Sequence, residues 1–199
     1  MVVSNTLTIT VSPAVASINI SVSPTSLSAS GGDITITGTT DLPNGTTITI
    51  NISESISGYS NSLSTSVSSG GFSTSTTLPA NLYASSLTYS VQATATYNGS
   101  PVNSNVVDVT EAAPTPSITL SSNTTSLPSS GGTVTFFGSV VGINPGTVLY
   151  VFSNGIQVTT TKVGSRYTFG FEFTLSFPAN TTLTAETYTI DVSTDQSNT

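Results

Sequence analysis

Residues 18–38 read INISVSPTSLSASGGDITITG, and 100 residues further on residues 118–138 read ITLSSNTTSLPSSGGTVTFFG. Ile, Ser, Ser-Leu, Ser-Gly-Gly, Thr and Gly recur without a gap, so the chain carries an internal repeat about one small domain long. The match fades through the middle. It returns where Pro79, Ala80, Asn81 and Tyr89 align with Pro178, Ala179, Asn180 and Tyr188, now at an offset of 99. Two homologous domains follow, over residues 18–111 and 117–199, with a linker at residues 112–116.

The two copies part after that tyrosine. Domain 1 runs on through a strand, a turn at Asn98-Gly99-Ser100-Pro101 and a further strand, which reads as a closing hairpin. Domain 2 reaches STDQSNT, the corresponding turn, and the expectation is an incomplete domain. The offset of 100 carries the closing strand of domain 1, SNVVDVTEAAPTPS at residues 104–117, onto SNTLTITVSPAVAS at residues 4–17. Leu7 and Ile9 match Val107 and Val109. Residues 1–12 therefore read as a closing strand with no domain before it, followed by a second linker at residues 13–17.

Composition sets the class. Ser and Thr exceed a third of the chain, and Gly and Pro punctuate short runs at regular spacing. TLTITV, DITITG, TTITINI, SLTYSVQATATY, TVLYVF, YTFGFEFTLSF and TYTIDVS alternate with period two, one face for a core and one for water. No helix is expected. In domain 2 the run Tyr167, Phe169, Phe171, Phe173, Leu175, Phe177 reads as one buried strand face. The Ser-rich residues 53–71 read either as a long decorated loop or as extra edge strands.

Lys162 and Arg166 are the two basic residues against nine carboxylates, a net charge of −7, so binding to a phosphate backbone lacks its cations. Charged residues are 6% of the chain, against about 25% in typical domains. Solubility must then rest on hydroxyl groups. That suits an exterior in strong acid or at high temperature, and equally a neutral secreted domain with no extreme habitat. There is no cysteine and no apolar run long enough to span a membrane. MVVSNTLTITV lacks the basic and apolar regions of a secretory signal, so a processed form or another export route is expected.

Both linkers are short and proline-bearing, AAPTP and SPAVA, and five residues reach at most about 17 Å. The N-terminal strand should therefore enter a domain lying directly behind domain 1, which is not its own domain 2. The expected host is domain 2 of a neighbouring molecule, whose inward residues Tyr188, Ile190 and Val192 would line the open groove. On the donor, Val3, Asn5, Leu7, Ile9 and Val11 share one face. Val3, Leu7, Ile9 and Val11 are the expected plugs.

With a donor strand, two sandwich domains, a Ser/Thr-rich sequence and almost no charge, the chain resembles the donor-strand filament subunits called archaeal threads. SPTSLSASGGDITITG also looks like an Ig-like repeat common in prokaryotic surface proteins. The resemblance implies an all-β fold of two tandem Ig-like β-sandwiches, the second incomplete, in an extracellular and often glycosylated fibre of identical subunits. The alternative is a binding module, a tandem Ig-like piece of a larger adhesin or S-layer-associated protein.

Candidate sites are few. Without His or Cys, the common triads and zinc sites are absent, and no enzyme or cofactor is expected. Asp33 with Asp41, or Asp191 with Asp195, could hold Ca²⁺, although solvated carboxylates explain them as well. Lys162 is the one lysine able to form an isopeptide crosslink, and an exposed loop charge explains it too. Tyr59, Tyr83 and Tyr97 could line a sugar-binding face or pack at the core and rim. Six Asn-x-Ser/Thr sequons stand at Asn19, Asn44, Asn51, Asn98, Asn123 and Asn180, a number that so hydroxyl-rich a chain reaches by chance. Their places, in turns or alternating outward, make them candidates for N-glycans.

Overall fold

The computed structural model describes residues 2–11, 15–165 and 168–197; Met1, residues 12–14, Arg166, Tyr167, Asn198 and Thr199 lie outside them. The described fold is all-β, in two sandwiches. The first holds β1 (Ile18–Ser23), β2 (Ser26–Leu27), β3 (Gly32–Thr40), β4 (Thr47–Ser53), β5 (Ser60–Ser66), β6 (Gly71–Leu78), β7 (Leu87–Tyr97) and β8 (Ser100–Glu111). Its sheets run β1-β3-β6 and β2-β8-β7-β4-β5. The second holds β9 (Ser117–Ser122), β10 (Gly132–Val141), β11 (Val148–Ser153), β12 (Ile156–Lys162), β13 (Gly170–Phe177) and β14 (Ile190–Ser193). Its sheets run β9-β10-β13 and β12-β11-β14.

Alternation places the core. In the first sandwich Ile18, Ile20, Ile34, Ile36, Ile48, Ile50, Ile52 and Val91 point inward and are almost wholly buried, while the Thr, Ser and Asn between them face water. The Ser-rich residues 53–71 supply β5, an edge strand paired with β4 along its length. The aromatic run on β13 buries Phe171 and Phe173 beside Phe169, with Leu175 and Phe177 half-buried.

The repeated Ser-Gly-Gly is a turn that only glycine can make. Gly31 and Gly131 sit at φ of +72° and +74°, and a Cβ on either would strike the backbone of the strand opposite, at Leu78 and Phe177. The hairpins at Asn98-Gly99 and Asn154-Gly155 put both residues at positive φ, the two-residue turn that matches strand twist.

Strand for strand, β1, β3, β4, β5, β6 and β7 correspond to β9 through β14. No described strand of the second sandwich corresponds to β2 or β8. In the first sandwich β8 pairs with β7 from Leu87 to Tyr97 and runs parallel to β2 at Ser26 and Leu27. What β8 alone holds in strand form is not strand in the second copy. Residues 186–188, matching Leu87, Thr88 and Tyr89, are irregular, as are Ser126 and Leu127, matching β2. The matching stretch of β14 keeps its ladder where β11 supplies it, at Ile190–Ser193, just as β4 pairs Ser90 to Thr94 of β7.

Candidate functional site

An open groove occupies the place that β8 fills in the first sandwich. It measures about 1020 Å³ and is lined by Leu120 of β9, Leu127, Val134, Phe136, Phe177, Tyr188 and Ile190 among others. Apolar side chains that are sealed in the first copy are half open in the second. Tyr89 is wholly buried whereas Tyr188 is 37% exposed, and Val91, Ala93 and Leu78 are buried whereas Ile190, Val192 and Phe177 are only half-buried. Tyr188 leans its ring on Phe177 at 4.9 Å, and Ile190 and Val192 pack toward the core, with Asp191 outward. Tyr188 and Ile190 line the groove; Val192 lies further along β14.

The N-terminal segment presents apolar side chains of its own to solvent. Residues 2–11 join no sheet, and Val3, Leu7, Ile9 and Val11 are each more than three-quarters exposed. On β8 the corresponding inward positions are Val107, Val109 and Glu111, the last two buried completely.

Glu111 shows what the closing strand does at its end. Its carboxylate accepts the Asn81 amide at 2.9 Å and the Tyr89 hydroxyl at 3.0 Å, while Asn81 Nδ2 donates to the carbonyls of Ser85 and Ala112. Burial pushes the Glu111 carboxyl above the ordinary carboxylate range, and burial with the facing carboxylate pushes the Tyr89 hydroxyl up as well. In the second copy Asn180 still bonds Thr184 and Thr182, but Tyr188 turns its hydroxyl to Glu186 at 3.1 Å, which raises the tyrosine's pKa. This polar knot was not foreseen from sequence. The only hint was a carboxylate closing an alternating strand on its apolar phase.

The other candidates disperse. Tyr59 packs edge-on against Tyr89, Tyr83 is buried against Phe169 of the second sandwich, and Tyr97 lies at the β7–β8 turn. They do not form one face. Lys162 is exposed at the end of β12 rather than in a loop. Asp41 accepts the Ser17 amide at 2.8 Å, Asp33 takes the Thr77 hydroxyl, and Asp195 closes its own turn by accepting the Ser197 amide and hydroxyl, which lower its pKa. Among the described residues no three metal-ligating side chains of the His, Cys, Asp and Glu type come together, and no helix is long and apolar enough to cross a membrane.

Asn19, Asn44, Asn51, Asn98 and Asn123 face solvent. Asn180 differs, being half-buried with Nδ2 donating at 2.8 Å to Thr184, so the atom that would take a glycan is engaged.

No protein-family model matches the chain, and no curated protein matches it. Among solved structures, a tetra-tandem repeat from the extending region of a large adhesion protein is similar over 90% of this chain, at 19% identity and a TM-score of 0.50. The match takes in 48% of that structure, so this chain spans about half its length. Two others are a 1.5-MDa bacterial ice-binding adhesin (18% identity, 84% of this chain, 55% of that one, TM-score 0.28) and the human OSCAR ligand-binding domain (14% identity, 80% and 82%, TM-score 0.31). The first of these likenesses supports the tandem β-sandwich fold.

Proposed function

We propose that the chain is the structural subunit of an extracellular filament, in which residues 2–11 of one molecule fill the open groove of the second sandwich of the next. The observation that carries this reading is a coincidence of place and sequence. The groove lies where β8 closes the first sandwich, and the segment that repeats β8 lies exposed at the other end of the chain. Leu7, Ile9 and Val11 supply about 1.5–3 kcal/mol each on burial, and the strand edge of β14 supplies a ladder. Donor and acceptor are different surfaces, so the contact is heterologous and propagates. The exposed sequons at Asn19, Asn44, Asn51, Asn98 and Asn123 would carry N-glycans on the outer wall.

The likeness to an adhesin's extending repeat favours a second reading, a rigid spacer within a longer surface protein whose second sandwich is closed from elsewhere. One experiment separates them. Intact chain, a version lacking residues 1–12, and that version with the segment as a free peptide are refolded and followed by light scattering and negative-stain electron microscopy. Filaments from the intact chain alone, and peptide-stabilised monomers from the truncated one, are expected. Stable monomers from both, indifferent to peptide, would leave the spacer reading.

A further inference from the structure

Strand β8 does not run smoothly against β7. Val106 stands opposite Gln92 and Asn103 opposite Thr94, so Ser104 and Asn105 together face Ala93 as a bulge. Both side chains are used. Ser104 Oγ accepts the Ala93 amide at 2.9 Å and donates to its neighbour's carbonyl at 2.6 Å. Asn105 leaves its own sheet and meets β1, where Oδ1 accepts the Ile20 amide at 2.9 Å and Nδ2 donates to the Ile20 carbonyl at 3.1 Å. One carboxamide thus stands in for a strand rung along the edge of β1 and ties the two sheets together.

The same register exists in the second sandwich, where no described strand stands in the place of β8. Ile20 lies opposite Gly38, and Leu120 lies opposite Gly138, so Leu120 presents its amide and carbonyl to the groove in the same way. Ala93 lies opposite Ile50 of β4, and Val192 opposite Val151 of β11. At the offset of 100, Ser104-Asn105 becomes Ser4-Asn5.

We infer that Ser4 and Asn5 set the register of the joint: Ser4 takes the Val192 amide and Asn5 takes both backbone groups of Leu120 in the acceptor subunit. This rests on the donor-strand reading and adds to it the residues that decide where the strand stops sliding. The need for them is physical. Residues 6–11 read TLTITV, in which a slip by two residues again sets apolar against apolar, so the plugs alone tolerate several positions. A polar pair with a single matching site does not. The bulge also shifts the inward phase, because Val102 is half-buried and packed on the core while Asn103 is exposed. In this register Val2 enters the groove edge and Val3, expected among the plugs, faces solvent.

Cysteine pairs in the intact, otherwise cysteine-free chain read the register directly. Asp108 lies opposite Ser90 on the outer face, and the corresponding pair across the joint is Thr8 with Thr189. Directly paired positions are close enough for a disulfide. T8C/T189C should give an intermolecular ladder on non-reducing gels, and T6C/T189C or T10C/T189C should not. Adding N5A should spread crosslinking over all three pairs and speed filament dissociation by about 5- to 150-fold, the factor for two hydrogen bonds, and S4A with N5A should do so further. Residues 4 and 5 are exposed in the subunit, so these changes leave its fold intact. V2N should weaken the joint more than V3N. A T8C ladder indifferent to the loss of Ser4 and Asn5 would overturn the register assignment and leave strand donation standing. No ladder from any pair would overturn both.

Discussion

Glu111 and Glu54 are buried carboxylates of one sandwich that shift in opposite directions. Burial raises the Glu111 carboxyl, with Glu54 adding to the rise and the hydrogen bonds from Tyr89, Asn81 and Gly31 opposing it. Burial also works to raise Glu54, but there it is outweighed by bonds from the Ser57 hydroxyl and the amides of Ile56 and Ser57, and the net shift is downward. A raised folded-state pKa means that the folded chain holds the proton more tightly than the unfolded one. Stability from Glu111 is therefore full below the ordinary carboxylate range and lost as pH climbs through its raised value. Glu54 contributes above that range and loses its contribution as pH falls through its lowered value. E111Q should remove the acid-side gain, and E54Q the acid-side loss, so thermal melts from pH 3 to 7 should tilt in opposite senses for the two variants. About 1 kcal/mol moves a domain of this size by roughly 4–8 °C, well within reach of such melts. Parallel melts would refute the assignment. Neither role was legible in the sequence, since a lone Glu in a hydroxyl-rich chain reads as a surface charge until its neighbours are known. The Gly-Gly turns were legible, because glycine at a recurring offset has few other uses.

Whole strands were legible where apolar residues alternate and obscure where they do not. Alternating Ile marks β1, β3 and β4 on sight, and one face of each is the core. β5 carries only Leu63 as an apolar residue among Ser, Thr and Asn, because an edge strand has little to bury, so period two leaves no trace there. The bulge at Ser104 and Asn105 was hidden for a related reason: a phase shift between polar residues does not disturb any hydrophobic pattern. That no described strand of the second sandwich matches β8 is visible because the first copy serves as a ruler for the second. That comparison yields a prediction for hydrogen exchange. Amides of residues 87–89 and of β2, held by β8, should be slow, while those of residues 186–188 and of Ser126 and Leu127 should exchange fast in the subunit and slow down in the proposed filament. Exchange at residues 186–188 that stays fast in the filament would mean that the groove is not filled by a paired strand.

At the scale of the molecule the two sandwiches meet through the loop that follows β6. Tyr83 packs edge-on against Phe169 at 5.1 Å, the Leu82 carbonyl accepts the Gly142 amide at 3.0 Å, and the Ala84 amide donates to Asn144 at 3.1 Å. Pro114 and Pro116 of the linker crowd Gly142 from the other side. A joint with both a packed ring pair and a proline-stiffened connection transmits direction from one sandwich to the next. In the proposed filament the same loop of the second sandwich, residues 181–183, faces the next subunit with Leu183 fully exposed. Every subunit would then offer one groove and one strand at opposite ends, which makes growth polar and open to poisoning from a single side. A chain lacking residues 1–12 keeps the groove and loses the strand. Mixed in as a minority, it should accept a neighbour yet enter no groove itself, ending the filament there. Mean length in electron micrographs should fall steeply as its fraction rises, roughly as the inverse of that fraction, and a full-length chain with the groove blocked by I190D should cap the opposite end. Lengths unchanged by either chain would mean that subunits do not join by strand and groove. Shortening by the first chain but not the second would place the receiving surface somewhere other than beside β14.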